Sequence, residues 1–488
     1  MLKLNSLEFP VLRLKAFAAS TVLTTALLGA CAAAPLPPGT WDVRAAPVVE
    51  VVRDGERWTA DYVFNRDAQV WAFMDSALMT DVRQPWRPTQ WTVETPGVVM
   101  ERRGHYDVIR SLDGGPVPRH VRFSIKPKAV YLEAEYGTLT FSDGAVALPT
   151  RQFDVFALSS VEAAEAMPAD LNGIDLEGGA STVTWRDTAG PVLFNGRRQA
   201  ELTTTGERSY VLLGQARVTP GEGLTTVIDP NLPPWIGEEI RSFAPHVGDY
   251  YLRRLGAPGV GSETSTVMVS WNGPTERLSS MGGSVLPGLI VMNFEGVGVL
   301  KPTQQVLERS RWFIGHESAH FWLGQAVRYE FARDAWITEG GADLMAVRAL
   351  KALDPAYDDR AELQTEVNDC IDLSRKPLAE AGDRGEHRAY YACGAVFAMA
   401  AEGAQKRRDG GDWFDFLRPV LAANREDGVL SRVEWLDALT RVSGDPSLAE
   451  SIERMLDQGA ADPAAEIASL FRRTGVPHRV ENGKVVLI

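Results

Sequence analysis

The chain has 488 residues, of which 45% are hydrophobic and 23% charged, and its formal net charge is −14. This length predicts two or three domains, and the composition is that of a globular protein, which excludes a disordered or collagen-like chain. The negative charge argues against a nucleic-acid partner, because a phosphate backbone is bound through basic surfaces.

The first thirty residues predict a secretory signal. Lys3, Arg13 and Lys15 give a basic start, and the apolar run at 16–28 is shorter than the roughly 20 residues needed to cross a bilayer. A Leu-Gly-Ala-Cys sequence then ends at Cys31, and it resembles the lipobox of bacterial lipoproteins. The resemblance implies a lipid anchor on Cys31 and an outer-membrane lipoprotein of the bacterial cell envelope, facing the periplasm or the surface. An ordinary signal peptide with an unrelated cysteine is the alternative.

Short runs of alternating apolar and polar residues follow a Pro-rich stretch and predict an antiparallel β domain at 48–228. A Pro-rich break at 229–234 ends this pattern. The runs that carry the prediction are 119–125, 129–134, 137–141, 182–185 and 210–213.

After the break the hydrophobic period changes and predicts helices with a few strands. Beyond residue 390 almost the whole chain has a helical period. The predicted helices before that point are 236–255, 304–327 and 337–353, and the predicted strands are 266–271 and 289–294.

His316, Glu317 and His320 form an HExxH sequence within the helix predicted at 304–327. Helical spacing places the two histidines one turn apart on one face, where both imidazoles reach a single ion. Glu317 lies beside the first histidine and can reach a water molecule on that ion. Eighteen residues then separate His320 from Glu339, which lies in a Trp-Ile-Thr-Glu-Gly sequence.

This combination resembles the gluzincin peptidases, and most closely the aminopeptidase N and leukotriene A4 hydrolase family. The resemblance implies one zinc ion per chain, held by His316, His320 and Glu339 with water at the fourth position, as in catalytic zinc sites. It also implies that Glu317 acts as the general base toward a zinc-activated water. The function that follows is hydrolysis of peptide bonds in a peptide or protein substrate, in an aminopeptidase-like manner.

The resemblance implies two supporting residues. Family members carry a tyrosine in a Tyr-x-x-Gly sequence that stabilises the oxyanion, and Tyr391 matches it, with Tyr390 as the neighbouring alternative. A thermolysin-like member has an aspartate four residues after the glutamate ligand, bonded to the first histidine, and Asp343 occupies that position. His387, near Tyr391, is the one other histidine with a candidate role in the site.

The predicted substrate strand departs from the family. Members carry Gly-x-Met-Glu-Asn, whose Glu binds the free amino group of the substrate, whereas Gly282 and Gly283 are followed here by Ser, Val285 and Leu. Val285 cannot bind an ammonium group, and Glu295 is a candidate substitute farther along the chain. The alternatives are a zinc endopeptidase without free-amine recognition and a non-catalytic, zinc-containing peptide-binding lipoprotein.

The predicted chain is therefore an α+β multidomain protein with a thermolysin-like α/β catalytic domain. Cys370 and Cys393 remain after Cys31, either as a disulfide, which an oxidising periplasm allows, or as two buried thiols. The predicted division is a signal peptide at 1–30, a tether at 31–47, the β domain at 48–228, the catalytic domain at 229–408 and a short helical tail at 409–488.

Overall fold

The computed structural model describes residues 46–178, 180–220, 224–258, 265–276 and 280–488. The predicted signal peptide, Cys31 and most of the predicted tether lie outside these residues and stay predictions. Within the described ranges, no helix combines the length and the apolar character that crossing a membrane requires.

Three sheets form the described chain up to residue 213. Their strands are β1 (Val48–Asp54), β2 (Arg57–Val63), β3 (Val70–Phe73), β4 (Trp91–Val93), β5 (Val98–Arg103), β6 (Tyr106–Ser111), β7 (His120–Ile125), β8 (Leu139–Thr140), β9 (Val146–Pro149), β10 (Val155–Leu158), β11 (Thr182–Asp187), β12 (Val192–Phe194), β13 (Arg197–Gln199), β14 (Leu202–Thr205) and β15 (Tyr210–Leu213). The strand orders are β14-β11-β1-β2-β7-β4, β10-β3-β6-β5 and β13-β12-β15-β9-β8. Neighbouring strands run antiparallel except β1 and β11, which are parallel.

Aromatic side chains fill the core of these sheets. The ring of Trp91 lies 5.2–5.6 Å from the rings of Phe73, Phe123 and Phe153. Each aromatic residue buries a large apolar area, so such a cluster dominates the stability of a small β region. Two short helices connect strands of these sheets: α1 (Arg87–Gln90) and α2 (Val161–Ala166).

The run at 129–134, predicted as a strand, is a loop instead. Ala134 has a φ of +53°, a left-handed conformation that interrupts an extended strand. Leu132 forms an isolated bridge with Met79. The loop brings the hydroxyl group of Tyr131 within 2.8 Å of the side-chain oxygen of Asn293 in the next sheet.

A fourth sheet supports the rest of the chain, with the order β16-β17-β18-β20-β19. Its strands are β16 (Val218–Pro220), β17 (Leu224–Ile228), β18 (Ser265–Trp271), β19 (Ser280–Leu286) and β20 (Leu289–Glu295). The three central strands are parallel, whereas β16 and β19 run antiparallel at the two edges. The domain boundary predicted at 229 falls inside the sequence span of this sheet, because β16 and β17 precede it.

Helices cover this sheet and continue to the carboxyl end. They are α3 (Pro234–Leu255), α4 (Gln304–Ala319), α5 (Trp336–Leu353), α6 (Asp359–Leu373), α7 (Arg388–Asp409), α8 (Trp413–Ala423), α9 (Arg432–Ser443), α10 (Pro446–Asp457) and α11 (Pro463–Thr474). Two small sheets pair β21 (Arg328–Tyr329) with β22 (Val429–Leu430) and β23 (His478–Glu481) with β24 (Lys484–Leu487). One hydrophobic core extends from Leu232 to Leu487, so the predicted catalytic domain and helical tail share it. The mixed α+β architecture is confirmed.

A disulfide bond joins Cys370 of α6 to Cys393 of α7. Of the two arrangements that the sequence leaves open, the structure has the bridge. It fastens α6 to α7 in the part of the core that lies beside the HExxH helix.

Helices α5 and α7 cross at two glycines. A Cβ atom built on Gly340 would overlap the backbone of Gly394, and one built on Gly394 would overlap the carbonyl oxygen of Trp336. The two backbones can approach this closely only without side chains between them. Because Gly340 follows Glu339 directly and Gly394 lies three residues after Tyr391, the crossing sets the distance between the elements that carry these two side chains.

We predict that Gly340→Ala destabilises the protein by about 1–3 kcal/mol, because the added methyl group forces α5 and α7 apart. Gly248→Ala is the matched control: Gly248 lies inside α3, and a Cβ atom there meets nothing within 4 Å. The control should raise stability by about 0.5–1 kcal/mol through the higher helix propensity of alanine. Equal stability of the two variants in urea unfolding would contradict the close crossing.

Candidate metal centre

The HExxH residues lie at the carboxyl end of α4. Thr303 caps the start of this helix by accepting a hydrogen bond from the backbone N–H of Val306. The helix ends at Ala319 rather than at residue 327 as predicted, and the N–H of Gln325 turns back to the carbonyl of His320. The early end gives His320 a partner, since the carbonyl oxygen of Leu323 accepts a hydrogen bond from His320 Nδ1 at 2.8 Å.

The structure brings His316, His320 and Glu339 together in the core. Their donor atoms converge: the two Nε2 atoms lie 3.0 Å apart, and each lies 3.5 Å from Glu339 Oε2. Bonds of about 2.0–2.2 Å in a tetrahedral zinc site require donor separations of roughly 3.3 Å. Two nitrogens and one carboxylate oxygen at these spacings fit a zinc ion.

Each histidine is oriented by its other ring nitrogen. Asp343 Oδ1 lies 2.7 Å from His316 Nδ1, and the carbonyl oxygen of Leu323 binds His320 Nδ1 as described above. These acceptors favour a proton on Nδ1 of each ring, so Nε2 is the atom that each histidine can offer to a metal ion. Asp343 therefore lies where the resemblance places it, one helical turn after Glu339.

The electrostatics of the centre favour a cation. Burial opposes the charged imidazole of His316, but the hydrogen bond and charge of Asp343, with Glu339, raise its pKa to about 10. Burial likewise opposes the charged form of Glu339, but His320 and His316 lower its pKa to about 2. The carboxylates that would hold protons on the imidazoles would also stabilise a metal cation bound there instead of the protons.

Glu317 is fully buried beside the ligands. Among the described residues neither of its carboxylate oxygens has a hydrogen-bond partner, and burial raises its pKa to about 7. Gly283 of β19 lies directly against it, since a Cβ atom on Gly283 would come within 2.6 Å of Glu317 Cδ. A larger residue at this position would displace the carboxylate.

Of the two neighbouring tyrosines, Tyr391 lies at the centre. Its ring stacks on the ring of His316 with a centroid distance of 5.8 Å, and only 1% of its surface is exposed. The hydroxyl group of Tyr390 instead accepts a hydrogen bond from the backbone N–H of Gly382 at 3.0 Å. The geometry thus favours Tyr391 over Tyr390 as the residue that acts beside the metal ligands.

The edge strand β19 presents Gly283 and Val285 to α4. Alternate residues of a strand share a face, and Val285 belongs to the same hydrophobic core as the residues of α4. Its carbonyl oxygen accepts a hydrogen bond from Gln325 Nε2 at 2.7 Å. Glu295 lies on the opposite face of the sheet, where Thr275 and Tyr131 bind its carboxylate, so it does not replace the missing acid.

A cleft of about 840 Å³ opens beside the amino-terminal ends of α5 and α7. Both the first β region and the helical part contribute to it, and no spacing in the sequence relates these residues to one another. Charged residues that line it include Asp75, Arg83, Glu133, Glu135 and Arg151. His387 lines it too, and burial lowers the pKa of His387 to about 4, which makes its imidazole neutral at physiological pH.

Comparison with known proteins identifies similar folds for this chain. No protein-family model and no curated protein matches the sequence. The mixed α+β multidomain architecture is similar to that of leukotriene A4 hydrolase. Native leukotriene A4 hydrolase from yeast matches with a TM-score of 0.50 and 13% identity, over 86% of this chain and 68% of that chain. The yeast enzyme in complex with bestatin gives a TM-score of 0.49, with the same identity and coverage.

We predict that Glu317→Gln stabilises the metal-free protein at pH 8 by about 3 kcal/mol and has no effect near pH 4. The folded-state pKa of Glu317, about 7, exceeds the value of 4.5 expected in the unfolded chain. Wild-type protein therefore loses stability as the pH rises from 4.5 to 7, and the amide does not. Urea unfolding across this range, with Glu453→Gln at an exposed position of α10 as control, measures the difference. A gain from Glu317→Gln that is equal at pH 4 and pH 8 would rule out this cause.

Proposed function

We propose that the protein is a zinc metallopeptidase. The observation that carries the proposal is the buried convergence of His316, His320 and Glu339 within 4.8 Å of one another, with the carboxylate of Glu317 beside them. Two imidazoles and one carboxylate are the ligand set of catalytic zinc sites that keep one position for a water or substrate. The similarity of the fold to that of leukotriene A4 hydrolase supports the same proposal.

A bound zinc ion supplies Lewis-acid polarisation of the scissile carbonyl and lowers the pKa of a water molecule to about 7. Glu317 accepts the proton of the attacking water on its carboxylate and transfers it to the departing amine. In this mechanism Tyr391, whose ring stacks on that of His316, donates its hydroxyl proton in a hydrogen bond to the oxygen that becomes negatively charged.

A second candidate mode, endopeptidase cleavage, is favoured by the apolar residue on the predicted substrate strand. Val285 offers no charge to the amino group of a substrate. Three of the carboxylates that line the cleft already have partners: Asp75 pairs with Arg151 at 2.8 Å, Glu133 pairs with Arg83 at 3.0 Å, and Glu135 accepts a backbone N–H at 2.8 Å. A free ammonium group would have to compete with these partners, whereas an internal peptide bond would not.

We expect Glu317→Ala to retain zinc and to lose at least about 10²-fold in kcat, the usual contribution of a general base. Metal content by mass spectrometry and a peptide digest with and without a chelator measure both effects. Tyr391→Phe should lower kcat by about 10²–10³-fold with zinc retained, because one oxyanion donor is lost. Wild-type rates in Glu317→Ala would disprove the mechanism, and zinc without hydrolysis of any peptide would favour the non-catalytic alternative.

Substrate pairs that differ only at the amino terminus distinguish the two modes. We expect amino-acetylated peptides to be cleaved at least as fast as the same peptides with free amines, because Val285 replaces the amine-binding acid. Mass-spectrometric mapping of the products then gives the cut sites. Release of single amino-terminal residues from free peptides only would establish the aminopeptidase mode instead.

A further inference from the structure

Arg388 begins α7, three residues before Tyr391, and its guanidinium group contacts carboxylates on two other helices. Nε lies 2.9 Å from Asp369 Oδ2 and Nη2 lies 2.7 Å from Glu366 Oε1, both on α6. Nη1 lies 3.8 Å from Asp343 Oδ2 on α5. The arginine side chain is 13% exposed, and that of Asp343 is 1% exposed, so the contact between them is poorly screened by water.

These contacts form a closed series that starts and ends at Arg388 and passes through a metal ligand. Arg388 faces one oxygen of Asp343, and the other oxygen binds His316 Nδ1 at 2.7 Å. The ring of His316 stacks on Tyr391, and one turn of α7 leads from Tyr391 back to Arg388. A displacement of any member therefore moves the orientation of a metal ligand and the position of the tyrosine together.

We propose that Arg388 is a positioning residue that couples the metal ligand His316 to Tyr391. It fixes the carboxylate of Asp343, which orients the imidazole, and it fixes the first turn of the helix that carries the tyrosine. The inference rests on the proposed function for the role of Tyr391, whereas the effect on metal binding follows from the contacts of Asp343.

The other contacts of Arg388 support this role. The disulfide between Cys370 and Cys393 already fastens α6 to α7, so Glu366 and Asp369 are held at a constant position relative to Arg388. These two carboxylates therefore hold the guanidinium group in one orientation. What Arg388 adds to the covalent link is the connection to Asp343 on α5.

Arg348 provides a matched control. It lies on α5 and binds Glu402 of α7 at 2.8 Å and Asp359 of α6 at 2.9 Å, so it joins the same three helices through the same kind of contact. It is nine residues beyond Glu339, which is roughly 13 Å along the helix axis. Its loss should reduce helix packing without changing the orientation of a metal ligand.

The experiment compares Arg388→Met with Arg348→Met in the full chain. We expect Arg388→Met to weaken zinc binding by about 10-fold or more, measured by competition with a chromophoric chelator, because partners that orient ligands contribute 10–100-fold to affinity. It should also lower kcat with little change in KM. Arg348→Met should lower the melting temperature but change the zinc Kd by less than about 2-fold.

A second variant is the control for misfolding caused by a buried carboxylate that has lost its cation. Arg388→Met combined with Glu366→Gln removes one of the two buried carboxylates that the first substitution leaves without their cation, and it should bind zinc as weakly as Arg388→Met alone. The inference is overturned if either Arg388 variant binds zinc like the wild type, or if Arg348→Met weakens zinc binding equally. Zinc affinity is measured without substrate, so a wild-type protein that binds zinc but hydrolyses nothing would refute the proposed function alone.

Discussion

The close approach of α5 to α7 is the constraint on which the geometry of the metal centre depends. Helix α5 carries Glu339 and α7 carries Tyr391, and the helices meet where Gly340 and Gly394 have no side chains. Ordinary helix pairs pack 8–10 Å apart because side chains separate them. The two glycines remove that separation, so the tyrosine ring can stack on His316, which belongs to a third helix. Close packing where α5 crosses α7 thus sets the spacing between Glu339, Tyr391 and His316, which belong to three different helices.

Charge balance is the second constraint on this core. Glu317, Glu339, Asp343 and Glu366 are all nearly inaccessible to water, and Arg388 is the cation that the described chain places among the last two. Buried carboxylates are costly unless they are paired or bind a metal. A divalent cation between His316, His320 and Glu339 would offset two of the formal negative charges that the arginine leaves. A cation bound at this site would therefore also stabilise the core.

The parts of the site that depend on local spacing could be predicted from the sequence, and the parts that depend on tertiary contacts could not. The histidines and Glu317 share one helix, and Asp343 follows Glu339 by one turn, so helical geometry alone relates them. Arg388 reaches Asp343 only because α6 and α7 fold back on α5. The sequence pattern also extended α4 past Ala319, since the apolar residues that follow continue the period although the chain turns back on itself there.

The difference between local spacing and tertiary contacts also explains why the sequence predicts the substrate less well than the candidate metal ligands. A strand sequence shows that Val285 carries no charge, but whether another acid takes its place depends on tertiary contacts. Glu295 lies on the opposite face of the sheet, where Thr275 and Tyr131 bind its carboxylate. Asp75 and Glu133, which line the cleft beside α5 and α7, are paired with arginines. The sequence does not reveal these pairings, because the partners lie far apart along the chain and meet only in the folded structure.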